Sequence, residues 1–153
     1  MNISKKKSLL KSQLNENLAL LEKALNALTY SNDKCRAIGE KTDYDMEEQE
    51  SFEALTSRFA RTADILTQKV FKSIFALLQE NIKTIIDAGN LVEKLGIVDH
   101  ADIILNIREL RNQIAHEYVN SDLNTLFIDV LHYVPLLKKV TDSVKAYVKK
   151  ELI

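Results

Sequence analysis

Leu10, Leu14, Leu18, Leu21, Leu25 and Leu28 recur at three- and four-residue intervals, which is the spacing of one face of an α-helix. The stripe predicts a first helix over about residues 4–30. Three glycines and one proline in 153 residues leave little turn chemistry for a many-stranded sheet. An all-α fold follows, and the length is that of one domain, 1–153, able to bury a core.

The remaining stripes follow in order. Ser31-Asn32-Asp33 is rich in helix-ending residues, and the chain then loops through Gly39 and Thr42. Thr42 or Asp43 can cap a second helix, with Asp45, Glu47 and Glu48 in its first turns. Its apolar positions run Phe52, Leu55, Phe59, Ala63, Leu66, Val70, Ile74, Leu77 and on to Ile82. At 1.5 Å per residue it spans about 55 Å, longer than the first helix, so one end is expected to project beyond a compact bundle toward a partner. A short helix over 88–95 stops at Gly96, and Asp99 or Asp102 can start the next. That helix is expected to end at 119–122, with Ser121 capping a last helix striped by Leu123, Phe127, Val130, Val134, Leu137, Val144 and Val148. Pro135 should bend this last helix or leave one carbonyl unpaired. The first, second, fourth and fifth helices can close an antiparallel four-helix bundle, with the short helix in a connection.

Charge and cysteine content exclude several function classes. A net charge of −1 is not that of a non-specific nucleic-acid binder, so any RNA contact must be local. No stretch approaches the roughly 18 apolar residues of a membrane span, and Lys5-Lys6-Lys7 precedes an amphipathic helix rather than a signal-peptide core. These features imply a cytoplasmic protein without membrane contact. Cys35 is the sole cysteine and no Cys/His cluster has zinc spacing, so neither a disulfide framework nor a metal is expected, and no cofactor is implied.

Residues 108–118 read Arg-Glu-Leu-Arg-Asn-Gln-Ile-Ala-His-Glu-Tyr. On a helix, Ile103, Ile107, Leu110 and Ile114 form its core stripe, with Leu105 on the outward side. Arg111 and Tyr118 then sit at the stripe's edge, while Asn112 and His116 point away from the core. Cutting RNA without a metal requires a proton acceptor for the 2′-hydroxyl, a proton donor for the leaving oxygen and a cation for the phosphate. His116 can serve either proton role and Arg111 can hold phosphate oxygens through its planar fork. Five residues apart, the two lie about 140° around an ideal helix, so one helix does not aim both at one phosphate with ease.

Arg111-Asn112-Gln113-Ile114-Ala115-His116-Glu117-Tyr118 resembles the Arg-x4-His-x-Tyr signature of HEPN domains, specifically the HepT-like proteins paired with minimal nucleotidyltransferases. Leu95-Gly96-Ile97-Val98 and Ser57-Arg58-Phe59-Ala60-Arg61 also resemble this family. The resemblance implies a HEPN-like bundle that dimerises so that two motifs line one cleft. It further implies a ribonuclease toxin acting on RNA, with tRNA the reasonable substrate, Arg111 and His116 catalytic and Asn112 supporting. A nucleotidyltransferase antitoxin would hold it in check by adenylylating Tyr118, whose added phosphate would occupy the anion site beside Arg111. The same family also includes proteins assigned as non-catalytic nucleotide- or substrate-binding subunits of a nucleotidyltransferase, which is the alternative function.

Simpler roles exist for the other polar residues. Arg58 and Arg61 can contact RNA phosphate or form a surface ion-pair row, with Asp64 near enough to pair with Arg61. Tyr118 by itself suits a core-edge aromatic with a hydrated hydroxyl. Lys138, Lys139, Lys145, Lys149 and Lys150 suit the C-terminal end of a helix dipole, and His100 and His132 read as structural.

Overall fold

The computed structural model describes residues 2–116 and 123–153, and among them the chain is helical with no strand. Helix α1 (Ile3–Ile38) begins where Asn2 Oδ1 accepts the Lys5 amide at 2.8 Å. It runs eight residues past the expected end, straight through Ser31-Asn32-Asp33. Burial decides this: Ser31 and Cys35 both face the second helical run, where Ser31 Oγ accepts from Arg58 and the Cys35 thiol donates to the Ser51 carbonyl. Tertiary contacts thus override local turn preference. At 36 residues, about 54 Å, α1 is the longest element. The projecting end is therefore not on the second helix: residues 3–9 of α1 are exposed and its burial starts at Leu14.

Helix α2 (Met46–Asp64) is capped by Asp45, two or three residues later than the expected Asp43 or Thr42. Asp45 Oδ1 accepts the Glu48 amide at 2.8 Å while Glu48 Oε1 accepts the Asp45 amide at 3.1 Å, a reciprocal capping box. The preceding loop is pulled inward by Tyr44, whose hydroxyl donates to the Gly39 carbonyl and whose ring lies tilted against Phe52 and edge-on to Phe127. After Asp64 the backbone widens into a π-helical stretch, Ile65–Val70, closed by Phe71 N–H on the Leu66 carbonyl, and continues as α3 (Phe71–Leu77). Ile65, Leu66 and Thr67 are consecutive and all buried. They lie where this helical run is covered by neighbouring helices on more than one side, as do Ser73, Ile74 and Phe75 in α3. The run ends short of Ile82, in a turn where Gln79 takes φ 59°.

Helix α4 (Ile85–Lys94) is capped by Thr84 and ends as predicted at Gly96, whose φ of 79° lets Gly96 and Ile97 donate to the Glu93 and Val92 carbonyls. Helix α5 (Asp102–Ala115) follows, and α6 (Leu123–Glu151) carries Pro135 inside it. The carbonyl that Pro135 leaves without a helical donor is that of Leu131, and Arg36 Nη2 from α1 reaches it at 3.2 Å. The pairs Asn17–Ser73, Ser31–Arg58 and Cys35–Ser51 set α1 antiparallel to residues 46–77, and Glu22–Lys145 with Arg36–Leu131 set it antiparallel to α6. Helices α2 and α6 meet across the core, α5 packs on both, and α4 covers α5. Phe52, Phe59, Phe71 and Phe127 fill the interior. No helix of the described residues is long and apolar enough to cross a membrane.

Candidate functional site

Helix α5 carries the central motif and is fixed at both ends by α4 and α2. At its start no side chain of its own caps it; Glu93 Oε1 of α4 accepts the Ala101 amide at 2.8 Å instead. Gly89 makes this approach possible, since a Cβ there would stand 3.2 Å from the Ala101 carbonyl oxygen. The buried face is Ile104, Ile107, Leu110 and Ile114, with Ile103 only partly covered. The stripe is therefore turned from the expected one at its N-terminal end, and Leu105 is half-buried rather than outward.

The helix stops at Ala115. His116 has φ −110° and ψ 19°, and its amide bonds the Asn112 and Gln113 carbonyls at 3.2 Å each. Arg111 and His116 therefore do not share one regular helix: the histidine leaves from the helix end, exposed, and the 140° offset of an ideal helix does not apply to it. Asn112 is exposed one residue beyond Arg111. Tyr118 and Ser121 lie outside the described residues.

Arg111 makes the strongest polar contact of the helix. Its Nε donates to Asp64 Oδ1 at 2.7 Å and its Nη2 to Asp64 Oδ2 at 2.8 Å, a side-on bidentate pair across α5 and α2. These bonds hold the guanidinium above its ordinary pKa, against a partial opposing effect of burial. Asp64 thus pairs with Arg111 rather than with Arg61. It ends α2 on the side facing α5, whereas Arg61, three residues earlier, is exposed toward α1. The pair fixes Nε and one edge of the fork, leaving Nη1 directed away from the carboxylate.

Arg58 and Arg61 share a different surface, a groove of about 380 Å³ between α1 and α2 that also includes Leu20, Lys23 and Ile65. Arg58 Nη1 donates to the Ala27 carbonyl at 3.2 Å and Ser31 Oγ at 2.9 Å, and its guanidinium lies 5.9 Å from the Tyr30 ring centre. It ties α2 to α1. The structure does not bring these two arginines together with Arg111. His132 pairs with Glu40 and Lys145 with Glu22, both on the surface. Among the described residues no three His, Cys, Asp or Glu side chains stand together as a metal site.

The pairing of Asp64 with Arg111 escaped the sequence reading because the two lie 47 residues apart; no spacing rule connects them. Lys72, Lys83 and Arg108 gather beside the same helix for the same reason, through tertiary packing.

The architecture defines an all-helical protein with one core and a polar edge along α5. No family model, curated protein or solved structure matches the chain.

Proposed function

We propose that the chain is a metal-independent endoribonuclease, a HEPN-like homodimer acting as the toxin of a pair with a nucleotidyltransferase antitoxin. The observation that supports this reading is the pairing of Arg111 with Asp64 on a helix whose C-terminal cap is the exposed His116. Asp64 orients the guanidinium and leaves Nη1 for a phosphate oxygen, while a histidine at a helix end can turn toward substrate. In the reaction, a 2′-hydroxyl oxygen attacks the adjacent phosphorus and the P–O5′ bond breaks, giving a 2′,3′-cyclic phosphate and a free 5′-hydroxyl. Arg111 stabilises the charge on the phosphate oxygens and His116 transfers a proton, with the second proton site supplied by the other protomer. Asn112 supports from the outer face. Adenylylation of Tyr118, the modification that the family resemblance implies, would add a charged, bulky group that opposes RNA binding.

Cleavage of total tRNA by the purified protein in excess EDTA tests the assignment. Wild type should cut, and His116→Ala and Arg111→Ala should each lower the rate by about 10²-fold or more. A folded, unmodified wild type that leaves tRNA whole overturns it.

A second reading, a non-catalytic nucleotide-binding subunit of a nucleotidyltransferase, is favoured by one feature of the same pair. Asp64 already neutralises much of the charge that Arg111 would lend to a transition state. Nucleotide binding by the wild type without any cleavage would select this reading.

A further inference from the structure

The connection between α3 and α4 sets Lys83 and Thr84 beside Arg108 of α5 and Lys72 of α3. With Gln68 they line a cavity of about 240 Å³ floored by apolar side chains such as Phe75. Its lining holds three cations and no carboxylate. Among the described residues the ion pairs join Lys41 to Glu48, Arg111 to Asp64, His132 to Glu40 and Lys145 to Glu22, so none of these three cations meets an acid.

Three cations on the wall of one partly apolar cavity would each attract an anion that entered it. The chain as a whole carries a net charge of −1, so this gathering is local rather than a by-product of a basic protein. The neutral lining also contains donors. Thr84 Oγ1 accepts the Asp87 amide at 3.1 Å, which leaves its own proton to give, and the Gln68 amide offers another. The first turn of α4 opens beside them, where the Asp87 carboxylate offsets the positive end of the helix dipole, so the three side chains carry the attraction. Cations arriving from three separate elements suit a tetrahedral anion with several acceptor oxygens better than a planar carboxylate with two.

We propose that this cavity binds a phosphate group, either the terminal phosphate of a mononucleotide or a phosphodiester of RNA. Arg108 precedes Arg111 by three residues, which puts their Cβ atoms about 5–6 Å apart on one side of α5. A phosphodiester held by Arg108 would therefore lie within one helical turn of Arg111. The RNA source rests on the nuclease reading; the phosphate site does not.

Isothermal titration of the full-length protein at constant ionic strength tests it, using inorganic phosphate, AMP, adenosine and a short oligoribonucleotide without terminal phosphates. Wild type should bind phosphate and AMP but not adenosine. Arg108→Gln and the exposed-site Lys83→Gln should each weaken binding about tenfold or more, while Lys94→Gln, at the far end of α4, should not. Displacement of phosphate by the oligoribonucleotide identifies RNA as the source, and AMP binding that the oligoribonucleotide leaves untouched identifies a mononucleotide. Equal affinity for AMP and adenosine, no binding of phosphate or AMP at millimolar concentration, or unchanged binding in both cavity variants overturns the proposal. A wild type that binds phosphate while sparing tRNA keeps this site and removes the nuclease reading. One that cuts tRNA without binding phosphate does the reverse.

Discussion

Arg111 shows how much of a side chain's role is set by its partner. Alone on a helix edge an arginine is mobile and costs little to move, but the two bonds to Asp64, at 2.7 and 2.8 Å, fix the guanidinium plane. Both groups remain about a third exposed, so water screens the attraction and the pair contributes modestly to stability. A double-mutant cycle of Asp64→Ala and Arg111→Ala in urea unfolding should return a coupling of about 1 kcal/mol. Additive losses would mean that the pair does not hold in solution. Under the proposed nuclease reading, Asp64 acts by positioning Arg111. In the nuclease assay Asp64→Asn, which keeps the shape and removes the charge, should lower kcat more than it raises KM.

At the scale of elements, each departure from a regular helix is answered by another element. Pro135 interrupts α6 without breaking it, and Arg36 supplies the missing donor to the Leu131 carbonyl at 3.2 Å. Arg36→Ala should therefore cost about 1 kcal/mol in the wild-type chain and much less in a Pro135→Ala background, where the helix furnishes its own donor. Equal costs in the two backgrounds would show that Arg36 acts otherwise. The π-helical stretch is also met from another element: Asn17 Nδ2 of α1 reaches the Lys69 carbonyl within it at 3.5 Å and donates to Ser73 Oγ at 2.8 Å just beyond it. The stretch also separates Asp64, which faces α5 at one end, from Lys72, which faces the α3–α4 connection at the other.

For the molecule as a whole, Cys35 reports on the seal between α1 and α2. Its thiol is fully covered and donates to the Ser51 carbonyl. Burial pushes its pKa up to about 11, with the neighbouring Lys34 charge offsetting part of the rise. Because the folded pKa lies above the unfolded one, folding favours the protonated thiol. That contribution is complete below about pH 9 and disappears as pH rises through about 11. The stability difference between wild type and Cys35→Ala, measured by urea unfolding, should therefore fall by about 1–3 kcal/mol from pH 8 to pH 11. A difference that stays constant across this range would mean that the thiolate is solvated in the fold.

The helical class, the short helix ended by Gly96 and most core positions were legible in the sequence because apolar periodicity and glycine at positive φ are local signals. Arg111 and His116 were named from their own segment for the same reason, as residue types at a fixed spacing. What the periodicity could not carry were features set by contact between distant segments. The extension of α1 through Ser31-Asn32-Asp33 depends on α2, and the cap at Asp45 on a loop drawn inward by buried Tyr44. The register of α5, the partner of Arg111 and the meeting of Lys72, Lys83 and Arg108 likewise required the helices to be packed. Hydrophobic spacing determined the inward face of most helices, though not the N-terminal turn of α5; only packing decided which polar groups on the remaining faces meet, because that depends on helix rotation and on the wide turn at Ile65–Val70.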